Sequence, residues 1–213
     1  MKVVKLNDSE LLSIVVEALV NSPSMCQGDK VKCMFENKWT VEKSKDNKKQ
    51  IIFNTETWEP LHKYISRKKL NYQKALQLTI CLGHQLTALT NSGFGISYIT
   101  PDDITIIDDN WFLITNLSNV VPLYKEKMLK IVKPITKNKD KPIFIAPEIK
   151  QISTLPAIVN QSCGFYSIAA LCMFSLGLTD INKNLIRLSP TPLYFLLERC
   201  LQEDPEKRVF LLI

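Results

Sequence analysis

Between Gln151 and Thr179 the chain carries no charged side chain, and from Cys163 to Leu178 it is almost wholly apolar. Such a run belongs either in a lipid bilayer or in a protein core. A spanning helix needs about 18–20 consecutive apolar residues. The run from Cys163 is shorter than that and is interrupted by Ser167, Ser175 and two glycines. It therefore predicts a helix buried in a core, since a helix without a polar face has to be enclosed by other elements.

Hydrophobic residues make up 46% of the 213 and charged residues 23%. That balance suits one compact domain, or one domain with a small N-terminal addition. The formal net charge of +6 is mildly basic. A nucleic-acid binder concentrates more positive charge on one face, and an acidic protein segment suits this charge equally well. Six cysteines occur, none spaced C-x-x-C, and His62 and His84 are the only histidines. No zinc or other metal site is expected from such a set. Cys81, Cys163, Cys172 and Cys200 stand among apolar residues, where a reduced thiol serves as a small core hydrophobe. Cys163 and His84 lack a third group that would orient them as nucleophile and base. Asn7, Asp8 and Glu10 interrupt the apolar stretch a secretory leader would need. The expected compartment is the cytoplasm, with the nucleus as the alternative, and neither a membrane nor a cofactor is expected.

Leu6 precedes the capping cluster Asn7-Asp8-Ser9, after which Leu11, Leu12, Val15, Val16 and Leu19 share one helical face. Between Lys30 and Phe53 the pattern is strand, turn, strand. Val31, Cys33 and Phe35 alternate, Trp39 and Val41 follow, a charged turn runs from Lys43 to Gln50, and Ile51-Ile52-Phe53 resumes an apolar strand. Helices dominate from there. Glu59-Pro60 opens a short one carrying Leu61, Tyr64 and Ile65. Tyr72 to Leu89 is a longer one, stopped by Gly93 and Gly95. Ile104 to Ile107 and Phe112 to Ile114 form a short hairpin across Asp108-Asp109-Asn110. The pairs Asp102-Asp103 and Asp108-Asp109 suit turns. Lys125 to Lys141 is an irregular lysine-rich stretch, the apolar helix follows, and Pro190 to Cys200 is the last helix. The expected class is α+β but mainly helical.

The order is helix, glycine stop, Pro101-Asp102-Asp103, hairpin, long loop, Ala146-Pro147-Glu148, buried helix and Asp204-Pro205-Glu206-Lys207-Arg208. Over roughly Ile51 to Arg208 this resembles the C-lobe of a eukaryotic protein kinase, with Ala146-Pro147-Glu148 at the A-P-E motif. The resemblance implies a kinase-C-lobe-like domain over 55–213, preceded by a reduced helix-plus-hairpin segment over 1–54. It also implies a buried ion pair between Glu148 and Arg208, which in the family holds the end of the activation segment to the helical core. Arginine suits that task because its planar fork binds a carboxylate through two bonds.

The catalytic positions do not match. Phosphoryl transfer needs a carboxylate near the substrate hydroxyl and groups that hold metal on the phosphates. On the family pattern, Tyr98 occupies the place of the catalytic aspartate and Thr100 that of the phosphate-contacting lysine. Asp103 stands in for a metal-binding asparagine, and Asn116 replaces the main metal carboxylate. Gly164 falls where an aspartate normally braces the catalytic loop, so that brace is expected to be lost. No G-x-G-x-x-G lies before residue 55, and the short N-terminal segment cannot form a full nucleotide-covering lobe. A kinase C-lobe without N-lobe or catalytic loop is similar to the KIND domain family. Those are interaction modules rather than enzymes, whose protein partners include formin tails in actin-nucleating, cytoskeletal members.

Lys125, Lys127, Lys130, Lys133, Lys137, Lys139 and Lys141 fall at the activation-segment position, against Glu126 and Asp140. They are the candidate contacts for an acidic protein partner. Nucleic acid is the less expected ligand, because few aromatics interleave with the lysines. The resulting expectation is a non-catalytic scaffold or adaptor. The alternatives are a nucleotide-binding pseudokinase or residual kinase, and a nucleic-acid-associated subunit that uses the basic loop.

Overall fold

The charge-free run forms a helix, Cys163–Ser175, in which Cys163, Tyr166, Ile168, Leu171, Cys172 and Met173 are buried together with Ser167 and Ser175. Its burial extends all round, as the lack of any charged residue requires. The computed structural model describes residues 2–7, 9–20, 39–43, 49–134, 142–178, 180 and 184–211. The alternating Val31, Cys33 and Phe35, the middle of the charged turn at 44–48, and Lys137, Lys139 and Lys141 lie outside them.

Ten strands and six α-helices follow one another among the described residues. They are β1 (Lys2–Asn7), α1 (Glu10–Val20), β2 (Trp39–Lys43), β3 (Lys49–Thr55), β4 (Trp58–Pro60), α2 (Leu61–Arg67), α3 (Tyr72–Asn91) and β5 (Phe94–Ile96). Then come β6 (Ile104–Ile107), β7 (Trp111–Ile114), β8 (Val120–Lys125), β9 (Met128–Ile131), α4 (Pro147–Lys150), β10 (Ala157–Asn160), α5 (Cys163–Ser175) and α6 (Pro192–Cys200). The strands form three small antiparallel sheets, ordered β1-β3-β2, β4-β6-β7 and β10-β9-β8-β5.

The mainly helical class expected from sequence is overturned. The described residues are 44% helical and 26% strand, so the fold is α+β with a substantial sheet component. Two of the unexpected strands show why. In β9, Leu129 and Ile131 are buried while Lys130 is exposed. In β10, Val159 is buried while Ile158 is 56% exposed. Both follow the period-two pattern of a half-buried strand, so several of the lysines assigned to an irregular loop decorate the wet face of a sheet. The N-terminal segment also holds a strand beyond the expected helix and hairpin. β1 pairs with β3 from Lys2 opposite Thr55 to Asn7 opposite Gln50.

Local chemistry fixes the element ends. The Ser9 hydroxyl accepts from Leu12 N–H at 3.2 Å, and Asn71 Oδ1 accepts from Lys74 N–H at 2.9 Å, each satisfying an orphan donor at a helix start. α3 ends on Gly93, whose φ of +85° only glycine adopts without cost. At the β6–β7 turn Asp108 and Asp109 are left-handed, with φ of 50° and 56°. A type I′ turn requires that conformation, and aspartate is one of the few other residues to tolerate it. Asp108 Oδ1 also accepts from the N–H groups of Glu56 and Thr57, at 2.7 and 3.0 Å, which aligns the chain for β4 to pair with β6.

One core joins these pieces. Leu12, Val15, Val16 and Leu19 of α1 belong to the same buried cluster as Leu78, Leu82 and Leu86 of α3, Phe112 and Ile114 of β7, and Ile168 and Leu171 of α5. The cluster runs across the 54/55 boundary expected between the N-terminal segment and the remainder. Gln85, fully buried, covers the outer edge of β7. Its Nε2 donates to Phe112 C=O at 2.7 Å and its Oε1 accepts from Ile114 N–H at 2.9 Å. Without it those edge groups would be buried unpaired, at a cost of about 1–3 kcal/mol. No described helix is long and apolar enough to cross a membrane.

The cysteines within the core carry a testable consequence. Burial pushes the Cys81 thiol from 9.0 to about 11, and those of Cys163, Cys172 and Cys200 to about 12. At about pH 8 iodoacetamide should alkylate these four only after denaturant is added, because the thiolate is the reactive form. Peptide mapping of labelled protein tests this, and labelling of any of the four at a free-thiol rate in the native protein would contradict it. The sign of the linkage is also fixed. Folded values above the unfolded one mean stability is fully present below about pH 9 and is lost between there and about 12. Urea midpoints should fall over that window.

Candidate functional site

Residues 97–103 form a loop that carries Tyr98, Thr100 and Asp103, three of the four residues aligned by resemblance with kinase catalytic positions. It is held at both sides. The Ser97 N–H and hydroxyl each donate to Asn119 C=O at 3.1 Å. On the other side Ser167 Oγ accepts from Ile99 N–H at 2.6 Å, and its hydroxyl lies 3.0 Å from Ile99 C=O. Ser167, three residues beyond Gly164, therefore ties this loop to α5. Gly164 has another task, since a Cβ there would lie 3.1 Å from Ile96 C=O and 3.2 Å from Leu86 Cδ2. Its bare backbone lets α5 approach β5 and α3. The signal for Ser167 was present in the sequence, as one of two serines in an otherwise apolar helix where burial favours a partnered hydroxyl; the other, Ser175, has no hydrogen-bond partner among the described residues.

Thr100, Asp103 and Asn116 are brought together in one hydrogen-bonded cluster. Asp103, 4% exposed, accepts at Oδ2 from Thr100 N–H at 2.8 Å and from its hydroxyl at 2.9 Å. Its Oδ1 accepts from Asn116 Nδ2 at 2.6 Å. Its backbone C=O accepts from Thr115 N–H at 2.9 Å. Thr100 and Asp103 form a capping box around the 3-10 turn Pro101–Asp103. Burial pushes the Asp103 carboxyl upward, opposed by the Thr100 and Asn116 bonds. Tyr98 stands beside this cluster, half-buried and hydrogen-bonded to the Asn119 side chain. Burial, followed by the Asp103 charge, raises its phenol. Both oxygens of Asp103 thus serve the turn. Asp102 faces outward, 3.1 Å from His62 Nδ1. Among the described residues no cluster of three His, Cys, Asp or Glu could hold a metal ion. Cys163, fully buried and donating to Ile96 C=O at 3.5 Å, has no nucleophilic thiolate at neutral pH.

Glu148 and Arg208, 60 residues apart in sequence, meet as a two-bond pair. Arg208 Nη1 lies 2.6 Å from Glu148 Oε1 and Nη2 lies 2.8 Å from Oε2. The remaining donors reach Gln202 C=O at 2.6 Å and Glu203 C=O at 2.8 Å. The guanidinium also stacks 5.1 Å from the Tyr166 ring centroid. The arginine side chain is fully buried and the glutamate 19% exposed. This arrangement ties α4, α5 and the segment after α6 at one point. Nearby, Ser162 Oγ donates to Pro205 C=O at 2.8 Å and Asn160 Nδ2 to Glu206 Oε1 at 3.0 Å.

The lysines do not form one loop. Lys125 ends β8, Lys127 sits in the turn with φ of 58°, Lys130 lies in β9 and Lys133 follows it. All four are exposed. Lys125 and Lys130 place their ammonium groups 5.5 and 5.4 Å from the centroid of the Tyr124 ring. Neither Tyr124 nor Ile158 was expected from sequence at a binding surface. Strand alternation is the signal that would have shown both on the same exposed face.

The pair at Glu148 should behave as a buried one. Removing either partner leaves the other charge uncompensated, at about 3–5 kcal/mol. For a chain of this size each kilocalorie moves Tm by about 2–4 °C, so Arg208→Ala and Glu148→Ala should each lower Tm by roughly 6 °C or more. The double variant should lose less than the sum of the two. Small, additive losses in thermal melts would show that the pair does not hold the fold.

No protein-family model matches the chain, and no curated protein matches it.

Proposed function

We propose that the chain is a non-catalytic protein-interaction module, a scaffold or adaptor whose domain is a degenerate relative of the kinase C-lobe, of the sort the KIND resemblance implies. The observation that carries this reading is the inward-turned carboxylate of Asp103. General base catalysis needs a carboxylate within hydrogen-bond reach of the substrate proton. Metal-assisted phosphoryl transfer needs carboxylate lone pairs directed at the cation. Of the two acids in the loop, Asp103 has both oxygens turned to Thr100 and Asn116, and Asp102 lies 3.1 Å from His62 Nδ1. Tyr98 and Asn116 offer no replacement charge. The loop is nevertheless braced from α5 and from Asn119. A braced loop whose two acids are engaged within the chain suits presentation of a surface better than turnover.

The test is nucleotide binding and turnover. Purified protein with labelled ATP, generic acceptor substrates and Mg²⁺ or Mn²⁺ should show background transfer alone. Mg·ATP should leave Tm unchanged, whereas a ligand at a hundred times its Kd would stabilise by about 2.7 kcal/mol. A saturable Tm rise would replace this reading with the nucleotide-binding pseudokinase. Turnover that co-purifies with the protein would replace it with a residual kinase.

A further inference from the structure

The outer face of the β10-β9-β8 sheet combines exposed apolar side chains with lysines. Tyr124 of β8 is 49% exposed, Ile158 of β10 is 56% exposed and Val132, just after β9, is 59% exposed. Lys130 lies directly opposite Ile158 in the β9–β10 register and reaches back over the Tyr124 ring. The three side chains therefore form a continuous strip across three strands, with an ammonium group between an aromatic ring and an aliphatic one. Lys125 covers the same ring, and Lys127 and Lys133 flank the strip. Among the described residues none of these four lysines is ion-paired, and Glu126 is the single acid between them. Ile158 also lines an open groove of about 390 Å³ with Met128, Ile152 and Ala157, and the two acids there are engaged, Glu148 by Arg208 and Glu206 by Asn160.

From this geometry we infer that the face docks an acidic protein segment that carries an apolar side chain among its carboxylates. The lysines take the carboxylates, and the apolar side chain lies on Ile158 at the groove. Three features select this occupant. The positive charge is local and unpaired within the described chain, so a complementary segment gains Coulomb energy without displacing an internal partner. Apolar groups and lysine alternate across the strands, Tyr124, Lys130 and Ile158 in turn, which matches mixed acidic and apolar side chains on one strand-like ligand. The tyrosine lies beneath its ammonium groups instead of projecting outward, unlike an aromatic anchor that inserts into lipid. The inference rests on the interaction-module reading and names the partner chemistry of one of its surfaces.

The experiment compares two soluble probes, poly-Glu and a random Glu/Tyr copolymer of equal length, by fluorescence anisotropy with the full chain. The parent should bind the copolymer at least about fivefold more tightly than poly-Glu, the margin a single well-seated anchor supplies. Ile158→Ser and Tyr124→Ser should bring that ratio close to one while leaving poly-Glu affinity nearly unchanged. Lys130→Ser should weaken both probes, more at low salt than at high. All three positions are exposed, and unchanged Tm values will show that the variants are folded. Absence of binding to either probe would overturn the proposal, as would variants that bind like the parent. Binding to phosphatidylserine vesicles without binding to the copolymer would assign the face to a membrane and overturn it equally. Those failures leave the non-catalytic reading intact if ATP neither binds nor turns over, because the partner would then sit elsewhere. Conversely, ATP turnover would sink the non-catalytic reading whatever the sheet face binds.

Discussion

The helix α5 has no face on which water could satisfy a polar group, and the surrounding structure answers to that constraint. A buried donor or acceptor left unpaired costs about 1–3 kcal/mol, a large share of a domain's net stability. Three polar groups around α5 find partners inside the protein, whereas among the described residues the Ser175 hydroxyl and Gln161 Oε1 are buried without one. Ser167 closes on both backbone groups of Ile99. Arg208 is matched by a carboxylate and two carbonyls. Gln85, on the helix that packs against α5, finishes the edge of β7. These three contacts join α3, α4, α5, the 97–103 loop, β7 and the segment after α6. The apolar packing sets how closely they approach, and the hydrogen bonds set their register.

The same constraint accounts for the state of the 97–103 loop. A carboxylate that is to hold a cation or take a proton has to keep lone pairs directed at open space. Asp103 sits where the loop folds under Thr100 and against the exit of β7, and burial there opposes its charge. The bonds from Thr100 and Asn116 offset that opposition by engaging both oxygens. Stability of the turn and availability of the acid are therefore in direct competition at this residue, and the turn has prevailed.

What was legible in the sequence follows the strength of the periodic signal. The core helix was fixed by the absence of charge from Gln151 to Thr179. α1 and α3 were fixed by their 3.6-residue stripes, and the β6–β7 hairpin by two short apolar runs around three polar residues. The Glu148–Arg208 contact came from a resemblance, because no local pattern links residues 60 apart. The strands β8, β9 and β10 were hidden for two different reasons. In β9 a single lysine between Leu129 and Ile131 gives an alternation of only a few residues inside a lysine-rich stretch, where composition outweighs pattern. In β10 both faces are apolar, so Val159 and Ile158 look alike although one is buried and the other exposed. β1 is short and mixed, and only its pairing with the apolar β3 defines it. Ser167 was legible in principle, as a serine in an apolar helix one turn after Gly164.

The change from loop to sheet alters what the lysines can do. On a mobile loop each lysine must give up rotamer and backbone freedom when a partner arrives, about 1–2 kcal/mol for the backbone of each ordered residue. On β8 and β9 the backbone is already fixed by pairing with β5 and β10, and Lys125 and Lys130 are already drawn to the Tyr124 ring. Much of the ordering cost is thus met during folding, and charge placed in a fixed array can discriminate the spacing of carboxylates on a ligand as well as their number. The strip also sets its lysines beside apolar groups, so binding would exclude water from the charges as it proceeds and strengthen each contact beyond its value at an open surface. A rigid basic face with built-in apolar contacts is selective in a way that a flexible run of the same residues is not. That difference lies in the pairing of three short strands and not in the count of lysines.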